Sequence, residues 1–386
     1  MKKIVFLFLV LITYNAFAQN RAITTAVPFL LVAADARSAG MADMGVATSS
    51  DAFSQQYNPS KYAFALDKQG FSMSYTPYLT GIANDISLGQ ITYYNKINER
   101  SAFAGSLRYF GLGDIVLTDQ NGNELNTVSP NELAIDGSYS LKLSERFAMA
   151  VAGRFIRSNL KIPDANTDAS AASTFAFDIA GYYQSEQLYL ADFDGRWRAG
   201  FNLQNLGPKI RYDNDVTNTN FIPANLRLGT GFDFIFDEYN KVGLTTEFTK
   251  LLVPTPQDQD LNSDGQITSE EISQNNANYK QTGWVSGVFQ SFNDAPDGFS
   301  EELKEFTWAL GAEYSYQDSF ALRMGYFNEN VQKGARKYFT LGAGFKYQII
   351  KVDLSYLFSA SKVRNPLENT LRFSLTFNFG DKYEEY

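Results

Sequence analysis

From Phe71 onward the chain alternates. In FSMSYT the apolar Phe71, Met73 and Tyr75 are separated by Ser and Thr. In AFAGSLRYF, Phe103, Leu107 and Tyr109 stand against Ala104, Ser106 and Arg108, and RFAMAVAGRF places Phe147, Met149, Val151 and Phe155 on one face. YFTLGAGFKY and VDLSYLF repeat the pattern near the end. Successive strand side chains point to opposite faces, so a period of two over segments of about ten residues predicts strands with one apolar and one polar face. The pattern places strands at 71–76, 86–95, 101–110, 133–142, 146–158, 173–184, 196–206, 225–235, 241–250, 305–316, 319–328, 338–348, 351–359 and 370–379. That is about fourteen, the even number expected of an all-β, membrane-spanning antiparallel β-barrel. A soluble β-sandwich is the alternative, but its strands usually run to about 5–6 residues.

The connections support the barrel. Tight joins at 95–101, 142–146, 235–241, 316–319 and 348–351, with 184–196 somewhat longer, alternate with large links at 110–133, 158–173, 206–225, 250–305, 328–338 and 359–370. Short turns on one side and long loops on the other are the asymmetry of outer-membrane barrels, whose long loops face outward. On that parity both termini are expected in the periplasm. In the last strand, LRFSLTFNFG, Phe373, Leu375 and Phe377 share a face that Phe379 continues, and GDKYEEY follows from Gly380. Aromatic-rich terminal strands of this kind are read by barrel-assembly machinery; an ordinary edge strand is the alternative.

The first residues differ from all of this. MKKIVFLFLVLITYNAFAQN has two lysines, an apolar run from Ile4 to Ile12 and Ala16-Phe17-Ala18, the layout of a secretory signal cleaved after Ala18. An uncleaved anchor is the alternative, with an apolar core short for a bilayer span. Next comes PFLLVAADARSAGMADMGVATSSDAFSQQYNPSKYAF, Pro28 to Phe64, too broken for a membrane helix and too rich in Ala and Gly for a strand. Small residues let a backbone pack closely inside a barrel, so this stretch reads as a plug, with Asp35, Arg37, Gly40 and Gly45 within it and Asn58-Pro59 turning the chain toward the first strand. The expected organisation is a signal at 1–18, a hatch or plug at 19–66, a barrel at 67–380 with a long outward loop at 251–304, and a periplasmic tail at 381–386.

Composition narrows the chemistry. The 386 residues include 23 Tyr, 32 Phe and 28 Gly but no cysteine and no histidine, which removes disulfides, thiol chemistry and Ser-His or His-metal mechanisms. The net charge of −9 becomes −11 when Lys2 and Lys3 leave with the signal, and such a chain lacks the basic footprint that nucleic acid needs. No nucleophile elbow or phosphate loop occurs. The carboxylate pairs Asp192/Asp194 and Glu301/Glu302 read as solvated charge in connecting segments, and the polar run Asn275–Lys280 as loop. Gly342 and Gly344 read as relief of crowding inside strands.

One local motif carries metal chemistry. DQDLNSDGQITSEE fits the spacing of a calcium loop: Asp260, Asn262 and Asp264 present side-chain oxygens, Gly265 allows the sharp turn, Gln266 supplies its carbonyl, Thr268 contributes directly or through water, and Glu271 closes the sphere. Ile267 is expected to pack beneath the loop. A chance acidic loop is the alternative. With one such loop facing external calcium, Ca2+ would serve as a structural clip that orders part of a long excursion.

The Pro28–Phe64 stretch resembles the N-terminal hatch of the FadL-like family of barrels through Ala39-Gly40, Gly45-Val46-Ala47, Asp51-Ala52 and Asn58-Pro59. With NLQNLGPKIRY, FIPANLRLGTGF and RKYFTLGAGFKYQIIKVDLSYLF, it is similar more closely to the PorV/PorQ family of the type IX secretion system. The resemblance runs from about Thr25 to Phe379 and implies a fourteen-stranded FadL-like barrel without enzymatic activity, in the outer membrane of a Gram-negative, Bacteroidota-type cell. It implies a shuttle that accepts exported cargo by C-terminal signal domains at the translocon barrel (SprA/Sov) and delivers it to the attachment component PorU. The surrounding partner is outer-membrane lipid. A FadL-like channel for hydrophobic small molecules is the other function compatible with the fold. The sequence assigns no cargo-contact residue.

Overall fold

The computed structural model describes residues 21–383 except 80–82, 84, 161–170, 214–217, 263 and 362–364, so the expected signal at 1–18 lies outside the described residues. Fourteen strands, labelled here in chain order, form the wall: β1 Asp67–Pro77, β2 Ile86–Lys96, β3 Ser101–Leu112, β4 Asn131–Lys142, β5 Phe147–Asn159, β6 Ala172–Gln184 and β7 Asp194–Leu206. They continue as β8 Asn225–Ile235, β9 Asn240–Leu251, β10 Thr307–Tyr316, β11 Phe320–Asn328, β12 Lys337–Tyr347, β13 Ile350–Ser359 and β14 Leu371–Lys382. Each pairs antiparallel with its neighbour in sequence, and β14 pairs with β1, with Phe71 opposite Phe377, so the sheet closes. A closed antiparallel barrel satisfies every ladder position without leaving an edge, as a wall in lipid requires.

The two faces are inside-out relative to a soluble protein. On β1, Met73 and Tyr75 are 39% and 50% exposed on the outer surface, whereas Ser72 and Thr76 are fully buried toward the lumen. The same division runs around the wall: Ile91, Leu107, Val151, Leu244, Leu341 and Phe373 face out, while Arg108, Asp136, Arg154, Glu247, Arg323 and Arg372 face in. A sandwich would bury its apolar faces against each other. Here they ring the outside, which excludes the sandwich and marks a lipid-facing belt.

Strand boundaries shift modestly. β10 begins at Thr307 because Leu303–Glu305 form a 3-10 turn, and β14 continues past 380 to Lys382, so the expected tail at 381–386 is partly strand. Short hairpins lie beyond the wall at Ile115–Thr118 with Glu124–Val128 and at Ile210–Arg211 with Thr219–Asn220. The described residues also include five α-helices besides 3-10 turns: α1 Ala36–Ala39 and α2 Ser54–Tyr57 inside the barrel, and α3 Ser269–Gln281, α4 Trp284–Gln290 and α5 Phe299–Glu302 in the link between β9 and β10. The polar run Asn275–Lys280, expected as loop, belongs to α3, which Thr268 and Glu271 start through a reciprocal capping box. No helix among the described residues is long and apolar enough to cross a membrane.

The first and last described residues lie at different mouths. Arg21, the first described residue, bonds to Asp258 and Asp297 in the β9–β10 link, at the long-loop mouth. Leu66 and Tyr383 meet at the opposite mouth, where the Tyr383 N–H donates to the Leu66 carbonyl over 2.7 Å. Strand parity accounts for Tyr383 at the short-turn side, but parity says nothing about an arm that traverses the lumen before β1. The termini themselves, residues 1–20 and 384–386, lie outside the described residues.

Candidate functional site

The lumen is filled by residues 21–66, through apolar clusters such as Phe29 and Leu30 with Leu88, Phe110 and Ile156, and through charged groups from both surfaces. Ala33, Ala34, Ala36, Ala39, Val46 and Ala47 are buried and small, so the plug backbone comes within reach of inward strand side chains. Gly40 meets Gly342 so closely that a Cβ on either would stand 3.0 Å from the other's Cα. Gly342 therefore does more than relieve crowding within its own strand: it admits the plug. At Gly325 the approach is tighter, since a Cβ there would lie 2.4 Å from the Ala42 nitrogen.

Charged groups then tie plug to wall. The Asp35 carboxylate caps α1, accepting from the Ser38 N–H at 2.9 Å. Burial and the nearby Asp51 charge push the Asp35 carboxyl up to about 6. Arg37 forks between segments: Nη1 reaches Asp51 at 2.6 Å, and Nη2 and Nε reach the Glu313 oxygens at 2.8 and 3.1 Å. Glu313 in turn receives Arg323, which also bonds Asp353 at 2.7 Å. Gly45 and Val46 donate their N–H groups to one oxygen of Glu247, at 2.9 and 3.0 Å, while Arg227 pairs with its other oxygen. Asp43 takes the Tyr338 hydroxyl and Arg372, both at 2.8 Å. Ala42 and Asp43 are both left-handed (φ 58° and 62°), a strained reversal that these contacts hold in place.

The Asn58-Pro59 step bonds both ahead of itself and across to the wall. Asn58 accepts from the Ser60 N–H and starts the 3-10 helix Pro59–Phe64, while its amide donates to the Val46 and Gly181 carbonyls at 2.9 Å each. Asp35, Arg37, Gly40, Gly45, Asn58 and Pro59 all lie in the lumen. Sequence reading missed Asp43, Lys61, Glu247, Glu313 and Arg323, and named Asp51 only within the family likeness. A signal existed for three of them, since Glu247, Glu313 and Arg323 are charges at the inward phase of alternating strands.

A second polar cluster closes the long-loop mouth. Arg21 bonds Asp258 at 2.7 Å, Asp297 at 2.8 Å and Glu301 at 3.2 Å. Lys333 joins Glu301 to Glu305 at 2.6 and 2.9 Å, and Lys250 joins Glu302 to Glu305 at 3.0 and 2.5 Å. Glu301 and Glu302 are buried, not solvated as their place in a link suggested, because three cations from separate segments converge on them. Beneath this cluster a cavity of about 410 Å³ mixes apolar walls (Ile23, Met44, Trp308, Phe327) with Arg336 and Glu329.

The acidic motif of the long link lies beside this mouth. Gly265 is left-handed at φ 84°, the Asp260 carboxylate accepts from the Asp264 and Gly265 N–H groups, and Asp264 accepts from Gln266. Glu271 returns on the loop, accepting from the N–H groups of Asn262 and Thr268, and the Thr268 contacts hold its carboxyl below the usual range. Among the described residues no group of three or more carboxylates draws together closely enough to hold an ion. Ile267 is 58% exposed rather than packed beneath the loop, since a single loop offers no paired loop to pack it against.

Solved structures share the fold. The TodX deltaS2S3 mutant monoaromatic hydrocarbon channel matches with a TM-score of 0.51 at 11% identity, over 89% of this chain and 99% of that one. A Ralstonia pickettii toluene transporter, TbuX, matches at 12% identity and TM-score 0.47, over 91% and 100%. A Pseudomonas aeruginosa FadL homologue matches at 14% identity and TM-score 0.44, over 94% and 100%. No curated protein matches. A family model described as type IX secretion system protein PorV matches residues 15–258, more than half of the chain. With the plugged fourteen-strand barrel, this match settles membership: the chain belongs to the PorV family of type IX secretion system outer-membrane proteins.

Proposed function

We propose that this barrel is the shuttle of the type IX secretion system: it binds C-terminal signal domains of exported cargo at the translocon barrel (SprA/Sov) and delivers them to the PorU attachment component. Family membership supports the system, and the filled lumen supports the mode. With Arg37, Asp43, Gly45, Val46 and Asn58 bonded to the wall, the described plug residues occupy the lumen that a translocating chain would need. Cargo is therefore handled at the long-loop mouth, which faces the cell exterior on the orientation usual for such barrels. Deleting the gene and measuring surface display of secreted proteins alongside uptake of long-chain fatty acids tests this. Display is lost and uptake normal if the reading holds; normal display with lost uptake sinks it. That second outcome is the one a FadL-like channel requires, and the 410 Å³ cavity under the mouth favours keeping that reading in the same experiment.

The 260–271 loop is proposed to take up Ca2+ through Asp260, Asn262, Asp264, the Gln266 carbonyl, Thr268 and Glu271. Ligand spacing, the left-handed Gly265 and the return of Glu271 onto Asn262 support it. Asp260→Ala with Glu271→Ala should abolish calcium-dependent protease resistance of the β9–β10 link. Equal protection with and without calcium in the unaltered protein removes the site.

A further inference from the structure

Helix α4 divides into three sides. At about 100° per residue, Trp284, Gly287 and Val288, with Ser291 just beyond, fall on one side; Val285, Phe289 and Phe292 on the next; Ser286 and Gln290 on the third. The first side is packed. Trp284 stands edge-on to Phe177 with ring centroids 6.4 Å apart, and Trp284 and Val288 join a cluster with Leu203, Leu226 and Leu252. Leu203 and Leu226 are cross-strand partners on β7 and β8, flanked by the buried, inward Asn202, Gln204, Asn225 and Arg227, so they face outward. Phe177 is likewise an outward residue of β6. Helix α4 therefore lies against the outside of the wall, at the long-loop end of the apolar belt, and not over the mouth.

Among the described residues the second side has no partner to match its chemistry. Phe289 is 74% exposed, and Val285 and Phe292 on the same stripe are also open. Around the helix the stripe borders the side that packs on the outward belt residues Phe177, Leu203 and Leu226, while the third side is polar. A helix with wall, apolar stripe and polar stripe in succession has the geometry of an interfacial helix, and its Trp284 sits where aromatic residues mark the membrane boundary. We propose that α4 is an outer-leaflet anchor: Val285, Phe289 and Phe292 enter the acyl chains, and Ser286 and Gln290 face headgroups and water. The occupant is lipid because the stripe borders the side that packs on a surface already committed to lipid. The anchor fixes the height of the whole β9–β10 link above the membrane.

The chain has no cysteine, so single labels report cleanly. Val285→Cys, Ser286→Cys, Phe289→Cys, Gln290→Cys and Phe292→Cys would each carry a nitroxide in vesicles of palmitoyl-oleoyl phosphatidylcholine. Collision with oxygen is compared with collision with a water-soluble nickel chelate, using variants that retain the heat-shifted mobility of a folded barrel. The expected result is a several-fold higher oxygen-to-nickel ratio at 285, 289 and 292 than at 286 and 290. Water-like ratios at all five positions overturn the proposal. So do labels at 285 and 289 that are immobilised by protein equally in vesicles and in lipid-free detergent. Loss of folding at one position leaves the comparison to the others of its stripe.

Discussion

Arg37 is the place where plug and wall are most directly tested. Its guanidinium is buried and bonds Asp51 on the plug and both oxygens of Glu313 on β10, together with Ser49. Arg37→Ala removes the shared cation and leaves two carboxylates in a low-dielectric lumen. Removing one partner of a buried pair costs about 3–5 kcal/mol. Glu313 retains Arg323, at 2.5 Å, so the lower end applies, about 3 kcal/mol. That corresponds to roughly a hundredfold rise in the population of a detached plug. The barrel ladder is untouched, so the change appears as local opening and not as global unfolding. Lys61 supplies the readout: it is fully buried in the plug, with its ammonium on the Gly45 carbonyl at 2.8 Å, and trypsin cleaves after it only in opened molecules. Where opening and reclosing are fast relative to cleavage, the cleavage rate follows the open population and rises about a hundredfold. Glu313→Gln should do less, because Arg37 keeps Asp51 and Arg323 keeps Asp353. A cleavage rate at Lys61 unchanged by Arg37→Ala would refute the view that this fork holds the plug.

Three further outcomes follow from the same contacts. Gly325→Ala puts a Cβ 2.4 Å from the Ala42 nitrogen, and overpacking of about 1–3 kcal/mol should raise Lys61 cleavage more than Gly153→Ala, where nothing lies within 4 Å. Asp35 has its native pKa raised from 3.8 to about 6, so its protonated form is the one the folded plug favours. That contribution is fully present below 3.8 and fades as pH rises through 6, so the plug should be better protected at the acid end; Asp35→Asn should flatten the trend, measured as Lys61 cleavage by a protease active across the range. Arg21→Ala should expose the 21–28 arm to proteolysis at the long-loop mouth, with a smaller effect on Lys61, because the two ion clusters share no residue.

The wall was legible because each strand repeats one rule: Phe71, Met73 and Tyr75 must go together to one face whatever lies elsewhere. The plug was legible as an anomaly, through Gly40, Gly45 and Asn58-Pro59. What joins them was not, because Arg37 and Glu313 are 276 residues apart and no local pattern connects them. Glu301 and Glu302 failed for the same reason: charge in a link is solvated by default, and only the convergence of Arg21, Lys250 and Lys333 reverses it. The placement of Arg21 escaped strand parity, which counts crossings of the wall and is blind to a crossing through the lumen.

That inner crossing constrains how the molecule is built. The segment from Arg21 to Leu66 passes from one mouth to the other, while β14 seals the ring against β1 immediately after the plug's exit. For a chain that arrives from the short-turn side, the leading arm has to travel the full bilayer thickness through the future lumen. Once β1 and β14 zip together, the only remaining route for the arm is end-on past Arg108, Arg198, Glu247 and Arg372, all of which must find their plug carbonyls, amides and carboxylates in register. The economical order is wrapping: the arm is laid down first, the wall assembles around it, and the seam between first and last strand closes last.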